Sequence, residues 1–175
     1  MTFEVVHTEK IYQGRVFAVR QDQVRMPDGK LAKLDIVDHQ GAVTLVPVDE
    51  ERRIWFIRQY RHAAGRVLLE LPAGVMETDE QPETSAQREI REEIGMAAAQ
   101  LKKIGEFFLA PGYSTEYMLV YLATEIYPDP LQGDEDEFIS IEKIPVDQAL
   151  QMARAGQIQD AKSLAALFLA LPHLS

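Results

Sequence analysis

The first forty residues alternate apolar and polar positions in short runs, the two-residue period of strands. Phe3–Ile11 and Val16–Arg25 fit that period, and Pro27-Asp28-Gly29 supplies turn chemistry before Leu31–Val37. Ala42–Val48 and Ile54–Tyr60 are continuous apolar runs, with a hairpin-like break at Asp49-Glu50-Glu51-Arg52, and Leu68–Leu71 is a short strand stopped by Pro72. Then the period changes. Ala86, Ile90 and Ile94 recur every four residues, Pro82 suits a first helical turn, and Gly95 suits the left-handed position past the end. Strand-like runs return at Leu101–Leu109, Tyr117–Ala123 and Phe138–Ile141. Two helices follow, Val146–Ala155 stopped at Gly156 and Ala161–Leu171 stopped at Pro172. Strands and helices mix without a βαβαβ rhythm, which predicts an α+β fold with a mixed sheet. Residues 1–40 read as a separate small antiparallel sheet ahead of a main domain over 41–175.

Composition narrows the class. The chain has 175 residues, 46% hydrophobic and 26% charged, enough for one domain with a small appendage and a real core. No run approaches the ~20 apolar residues of a membrane span. Met1-Thr2-Phe3-Glu4 lacks the basic start of a secretory signal, so a cytoplasmic protein is expected. There is no cysteine, which excludes disulfides, thiolate metal sites and a cysteine nucleophile. The net charge is −10, unfavourable for gripping nucleic acid or anionic lipid. That charge is unevenly spread. Residues 70–93 hold eight acids and two bases, residues 125–142 hold seven acids and no base, and residues 52–69 hold five arginines and no acid.

The first acidic block carries the chemistry. At 100° per residue, Glu89, Glu92 and Glu93 fall within about a 100° arc beside the apolar stripe. Like charges three and four apart cost an isolated helix a few tenths of a kcal/mol per pair. Arg88, four residues before Glu92, offsets part of that cost, and a bound divalent cation would offset more. Carboxylates are hard ligands, so the expected ion is Mg²⁺, with Mn²⁺ able to substitute. A solvated helix laced by Arg–Glu pairs is the alternative reading of the helix alone.

The wider spacing decides between them. Gly74, Glu80, Arg88, Glu89, Ile90, Glu92, Glu93, Gly95 and Met96 fill every defined position of G-x5-E-x7-R-E-U-x-E-E-x-G-U, with U a bulky apolar residue. Seven fixed residues at roughly 7% usage each give a chance match on the order of 10⁻⁸ per window. This resembles the signature of the Nudix hydrolase family. The resemblance implies an α/β/α sandwich with a mixed central sheet. It also implies metal-dependent hydrolysis of a nucleoside diphosphate linked to another moiety, with Glu89, Glu92, Glu93 and the carbonyl of Ala73 as metal ligands. Glu93 and Arg88 count among the catalytic residues, Arg88 as the group that orients a carboxylate, and Glu80 is expected to be an anchor.

Features outside this stretch resemble the ADP-ribose pyrophosphatase branch. They are Arg58-Gln59-Tyr60-Arg61-His62, Leu69-Glu70-Leu71-Pro72-Ala73-Gly74, the loop Ala110–Glu116 with Pro111 sixteen residues after Gly95, the run Asp134–Glu137, and Ile158-x-Asp160-Ala161-Lys162. By that resemblance Arg61 grips the pyrophosphate, with Arg58 and Glu70 also among the substrate-binding residues. Glu137, and after it Glu135, is expected to deprotonate the attacking water. Tyr12, Phe17 and Arg20 would help stack an adenine if the N-terminal sheet packs across a homodimer. A GDP-mannose or other nucleotide-sugar pyrophosphatase is the alternative substrate reading, and a non-catalytic nucleotide sensor of this fold is the alternative class. The expected partner is a small nucleotide sugar, with neither nucleic acid nor membrane. The four histidines have no metal-ligand spacing, the chain has no phosphate-binding G-x4-G-K-[ST] loop, and Ser114 lacks a nucleophile-elbow motif.

Overall fold

The computed structural model describes residues 2–133 and 138–174. The chain divides into two compact units, residues 1–41 with 108–117, and residues 42–107 with 118–175.

The first unit is built on three antiparallel strands, β1 (Glu4–Gln13), β2 (Phe17–Arg25) and β3 (Leu31–His39), in the order β1-β2-β3. The turn at Pro27-Asp28-Gly29 closes with Gly29 N–H donating to the Met26 carbonyl at 2.9 Å. The stretch 108–117 runs beside β3. Val37 donates to the Tyr113 carbonyl at 2.7 Å, and Thr115 donates to the Val37 carbonyl at 3.0 Å. Every residue of β1 is exposed, including Val5, Val6, Ile11 and Tyr12.

The second unit holds two sheets and three helices. β4 (Ala42–Pro47), β7 (Ala73–Val75), β8 (Met96–Phe108) and β9 (Tyr117–Pro128) form a four-stranded sheet in the order β7-β4-β9-β8. It is mixed, with β4 parallel to β9 and antiparallel to β7. β5 (Arg53–Arg61), β6 (Arg66–Glu70) and β10 (Ile139–Pro145) form an antiparallel sheet in the order β10-β5-β6. The helices are α1 (Pro82–Ile94), α2 (Val146–Arg154) and α3 (Ala161–Ala170). Among the described residues no helix is long and apolar enough to cross a membrane.

Strand parity makes the sandwich. The register pairs Val43 with Leu119 and Leu45 with Tyr121, while Thr44 pairs with Val120 and Val46 with Leu122. Successive residues point to opposite faces. Val46, Val120 and Leu122 belong to the core that includes Ala149 of α2 and Ala166, Leu167 and Ala170 of α3. The other face carries Val43, Leu45 and Tyr121 and meets α1, where Glu83 accepts a hydrogen bond from the Tyr121 phenol. Burial and that carboxylate push the phenol up to about 12, so it stays protonated as the donor.

Two local expectations change. The break at Asp49–Arg52 does form a tight turn. Asp49 accepts from the Glu51 and Arg53 amides at 3.1 and 2.9 Å and from the Trp55 indole at 2.9 Å. Yet β4 and β5 do not make a hairpin. After a single bridge between Val48 and Ile54 they enter different sheets, β4 between β7 and β9, β5 between β10 and β6. The second change comes after Pro72, where the strand Leu68–Leu71 is expected to stop: β7 follows at once and pairs its three residues with Thr44, Val43 and Ala42.

Candidate active site

Helix α1 lies on β4 and β7 and buries Ser85, Ala86, Glu89, Ile90, Glu93 and Ile94. Ile90, Ile94 and Ala86 are the apolar stripe, and Glu89 and Glu93 are the unusual members. Gly95 ends the helix in the left-handed conformation at φ 70°. The Gln87 side chain ties the helix to β8, donating to the Ala98 carbonyl at 2.6 Å and accepting from its amide at 3.3 Å.

β7 meets those carboxylates with its backbone. Leu45 N–H donates to the Pro72 carbonyl at 2.9 Å, so alternate residues of this strand turn their polar groups away from β4. Ala73 is one of them, and its N–H donates to Glu93 Oε2 at 2.8 Å. Its carbonyl projects to the same edge as its N–H, toward the helix. Val75 is the next, and its carbonyl accepts from Arg88 Nη2 at 3.2 Å. Gly74 lies between them with Glu89 directly over it. A β-carbon placed there would stand 2.0 Å from the Glu89 carboxyl carbon.

Arg88 draws the acids together. Nη1 donates to Glu89 Oε1 at 2.6 Å and to Glu92 Oε2 at 2.9 Å. Nε and Nη2 fork onto Glu80 at 3.1 and 3.0 Å. Glu80 is thus the loop anchor that the spacing suggests. Glu80, with its neighbours, holds the Arg88 guanidinium above its ordinary value. In return Arg88, against a smaller opposing effect of burial, holds Glu80 below the usual carboxylate range, aided by the Glu77 amide at 2.9 Å.

The carboxylates of Glu89, Glu92 and Glu93 and the Ala73 carbonyl are hard oxygen donors, the chemistry a divalent Mg²⁺-type ion requires. Gly74 leaves the backbone open to close approach by Glu89. Among the described residues no three acidic or histidine side chains are gathered tightly enough to enclose an ion, and Glu89 and Glu92 share Nη1 of Arg88. The donor set fits the ion in type.

A second cluster lies at the end of β6. Arg61 donates to Glu70 through Nε and Nη2, both at 2.8 Å. Lys162 of α3 donates to the same Glu70 Oε2 and to Asp160 Oδ2, the latter at 2.9 Å. Burial pushes Glu70 up, but Arg61 and Lys162 outweigh it and hold the carboxyl below its ordinary value. Glu70 in turn raises Arg61.

Several expected site residues take other places. Glu70 is 1% exposed, and its oxygens accept from Arg61 and Lys162. Arg58 alternates with the buried Ile57 and Gln59, so it lies on the sheet face opposite Arg61, paired with Glu142 of β10 at 2.5 Å. Tyr12 and Arg20 belong to the other unit. Tyr12 is exposed with its ring 6.2 Å from that of Phe17. Arg20 is bonded to Asp22 and Asp38 and borders a cavity of about 280 Å³ with Ile36, Phe108 and Tyr113. Glu135 and Glu137 lie outside the described residues. Unforeseen from sequence were the roles of Lys162, Asp160 and Ser163. The Asp160-x-x-Ser163 spacing of a helix cap was the available signal.

The NUDIX domain matches residues 38–167, and the nucleoside diphosphate sugar hydrolase N-terminal domain matches residues 3–33. The chain belongs to the NUDIX family of hydrolases. It is 35% identical over 166 residues to the ADP-ribose pyrophosphatase of Bacillus subtilis, covering 94% of this chain and 90% of that protein. It is 37% identical over 166 residues to the ADP-ribose pyrophosphatase of Mycobacterium tuberculosis, covering 93% and 80%. A crystal structure of an ADP compounds hydrolase superposes with a TM-score of 0.89 at 24% identity, covering 99% of this chain and 95% of that one, and supports the fold.

Two predictions follow from the geometry at Gly74 and Glu80. In an open extended position, Gly→Ala would stabilise by about 0.4–1 kcal/mol through the unfolded state. Gly74→Ala is instead expected to cost about 1–3 kcal/mol in urea unfolding, as overpacking does, and a Glu89→Ala change in the same chain should recover most of it. Glu80 has a lowered folded pKa, so its stabilisation is present above the unfolded Glu value near 4.5 and is lost as pH falls through the folded value. Glu80→Gln is expected to cost about 1 kcal/mol at pH 7, given partial solvent screening, and the difference from the native protein should shrink to nothing in strong acid. Urea midpoints of both proteins across pH 2–7 measure this.

Proposed function

We propose that the protein is an ADP-ribose pyrophosphatase that works with Mg²⁺, or Mn²⁺ in its place, and releases AMP and ribose 5-phosphate. The observation that carries this reading is the seating of Glu89 and Glu93 on the backbone of β7, with Arg61 held at the end of the adjoining β6. The match along nearly the whole chain to two ADP-ribose pyrophosphatases supports the choice of sugar nucleotide.

Glu89, Glu92, Glu93 and the Ala73 carbonyl would hold the metal. When bound, the ion supplies charge neutralisation on the diphosphate and lowers the pKa of a water. Arg88 holds Glu89 and Glu92 together on one nitrogen and is itself anchored through Glu80. Arg61 presents its guanidinium to the diphosphate, where a planar cation matches phosphate oxygens. Water adds to one phosphorus, the bridging P–O bond breaks, and the departing phosphate keeps the bridging oxygen. The water's proton goes to a carboxylate, for which Glu137, then Glu135, is the assignment. The N-terminal unit contributes Tyr12 and Arg20 to the adenine side of a homodimer. The exposed apolar residues of β1 support its role as an interface. The protein works in the cytoplasm.

Glu93→Gln is expected to fold as the native protein does and to lose on the order of a hundred-fold or more in kcat on ADP-ribose under Mg²⁺. Near-native turnover would sink the metal assignment. Across ADP-ribose, GDP-mannose, other ADP-sugars and 8-oxo-dGTP, kcat/KM should be highest for ADP-ribose. A higher value for GDP-mannose would move the specificity to the rival nucleotide sugar. Tight binding with no turnover under either metal would make the protein a sensor.

A further inference from the structure

We propose that Lys162 is a positioning residue for Arg61, acting through the buried carboxylate of Glu70. The inference rests on the reading of Arg61 as the group that grips the diphosphate.

Glu70 carries two cations on one carboxylate. Arg61 occupies Oε1 through Nε and Oε2 through Nη2, each at 2.8 Å, and Lys162 Nζ takes Oε2 as well. Glu70 is 1% exposed and Lys162 8%, whereas the Arg61 side chain is 40% exposed. The arginine is therefore the only member of the trio that opens to solvent. Paired with Glu70 alone, its charge would be largely cancelled by its own clamp, and a phosphate would meet a weak field.

Lys162 changes that balance: its ammonium is shared between Glu70 Oε2 and Asp160 Oδ2, and Asp160 has further donors of its own. Asp160 Oδ2 accepts from the Ser163 amide at 3.0 Å and from its hydroxyl at 2.5 Å, at the N-terminal end of α3 where the helix favours negative charge. Ser163 Oγ accepts from the Leu71 amide at 2.7 Å. The start of α3 is thus stitched to two successive residues, Glu70 by side chain and Leu71 by backbone. Lys162 therefore offsets part of the Glu70 charge while also pairing with Asp160, and it fixes the plane of the carboxylate on which Arg61 forks. The guanidinium is held with Nε and Nη2 inward and its remaining edge outward. Removing the ammonium would tighten Arg61 onto Glu70 and leave that edge unfixed. The loss would fall on substrate binding, because the carboxylates of α1 are untouched.

The test is steady-state kcat and KM for ADP-ribose under Mg²⁺ in the native protein, Lys162→Met, Lys162→Arg, Arg61→Ala and the Lys162→Met/Arg61→Ala pair, with thermal melts of each. Lys162→Met is expected to raise KM about ten-fold and leave kcat within about two-fold. Lys162→Arg, which keeps the charge, should return KM toward the native value. In the pair, the lysine change should add little to the arginine change, since both act through one group. An unchanged KM in Lys162→Met, a fall in kcat alone, or full additivity in the pair would overturn the proposal. If Lys162→Met does not fold, Asp160→Asn replaces it, since it loosens the lysine and keeps an acceptor for the Ser163 cap. A smaller rise in KM is then expected, and none would overturn the proposal. No turnover of ADP-ribose by the native protein, or an unchanged KM in Arg61→Ala, would instead defeat the reading of the site itself. A silent Lys162→Met beside a responding Arg61→Ala would defeat this inference alone.

Discussion

Glu89 and Glu93 are carboxylates buried on the same face of a helix as Ile90 and Ile94. Taking such a group out of water costs several kcal/mol unless it is paired and hydrogen-bonded. The rest of the second unit is arranged around meeting that cost. Glu93 takes the Ala73 amide, and Glu89 lies over the one residue of β7 that has no side chain, with Arg88 at its edge. Ala73 can donate to Glu93 only because strand alternation turns its N–H away from β4. That parity is fixed in turn by Leu45 donating to Pro72 and by the pairing of β4 with β9. A one-residue slip of β7 would put a side chain under Glu89 and turn the wrong amides to the helix.

The six residues from Glu70 to Val75 therefore serve two clusters at once. Glu70 and Leu71 belong to α3, through Lys162 and Ser163, while Ala73, Gly74 and Val75 belong to α1. Pro72 lies between them and accepts from both Leu45 N–H and Thr44 Oγ at 2.9 and 3.1 Å. Each cluster has a buried carboxylate and a partly exposed arginine, and β4 holds the segment that joins them. This ties the arginine expected to meet phosphate and the acids expected to meet metal to one continuous stretch of backbone, which is the rigid support a site of this kind needs.

Most of this architecture is legible as periodicity. The four-residue recurrence of Ala86, Ile90 and Ile94, closed by Gly95, locates α1, and the spacing from Gly74 to Met96 identifies the chemistry it carries. What periodicity does not carry is partnership. Asp49–Arg52 reads as a hairpin because turn chemistry is local, whereas the choice of β9 over β5 as the neighbour of β4 is made by distant residues. β7 is three residues long, too short for any pattern, and its register is set by β4. Arg58 and Arg61 look alike in the sequence, and only strand parity separates the face paired with Glu142 from the face paired with Glu70. Glu70 and Lys162 are ninety-two residues apart, and nothing local announces that one buried carboxylate joins them.

The charge of −10 acquires a structural meaning from these pairings. Five of the eight acids of residues 70–93 are withdrawn from solvent: Glu70, Glu89 and Glu93 are buried, and Glu80 and Glu92 are half-buried against Arg88, while Glu77, Asp79 and Glu83 are exposed. The arginines of residues 52–69 do not simply neutralise them either. Arg53 turns to Asp49, Arg58 to Glu142, Arg52 donates to the Leu174 carbonyl, and Arg66 is exposed, while Arg61 is bound to Glu70 of the first acidic block. A diphosphate approaching such a surface meets net negative charge, so in the proposed reading its binding calls for a divalent cation at the α1 carboxylates and for an arginine that its own clamp does not fully neutralise. In the same reading Lys162, shared between Glu70 and Asp160, serves the second need from inside the fold, and the oxygen donors on β7 and α1 serve the first together with a divalent ion.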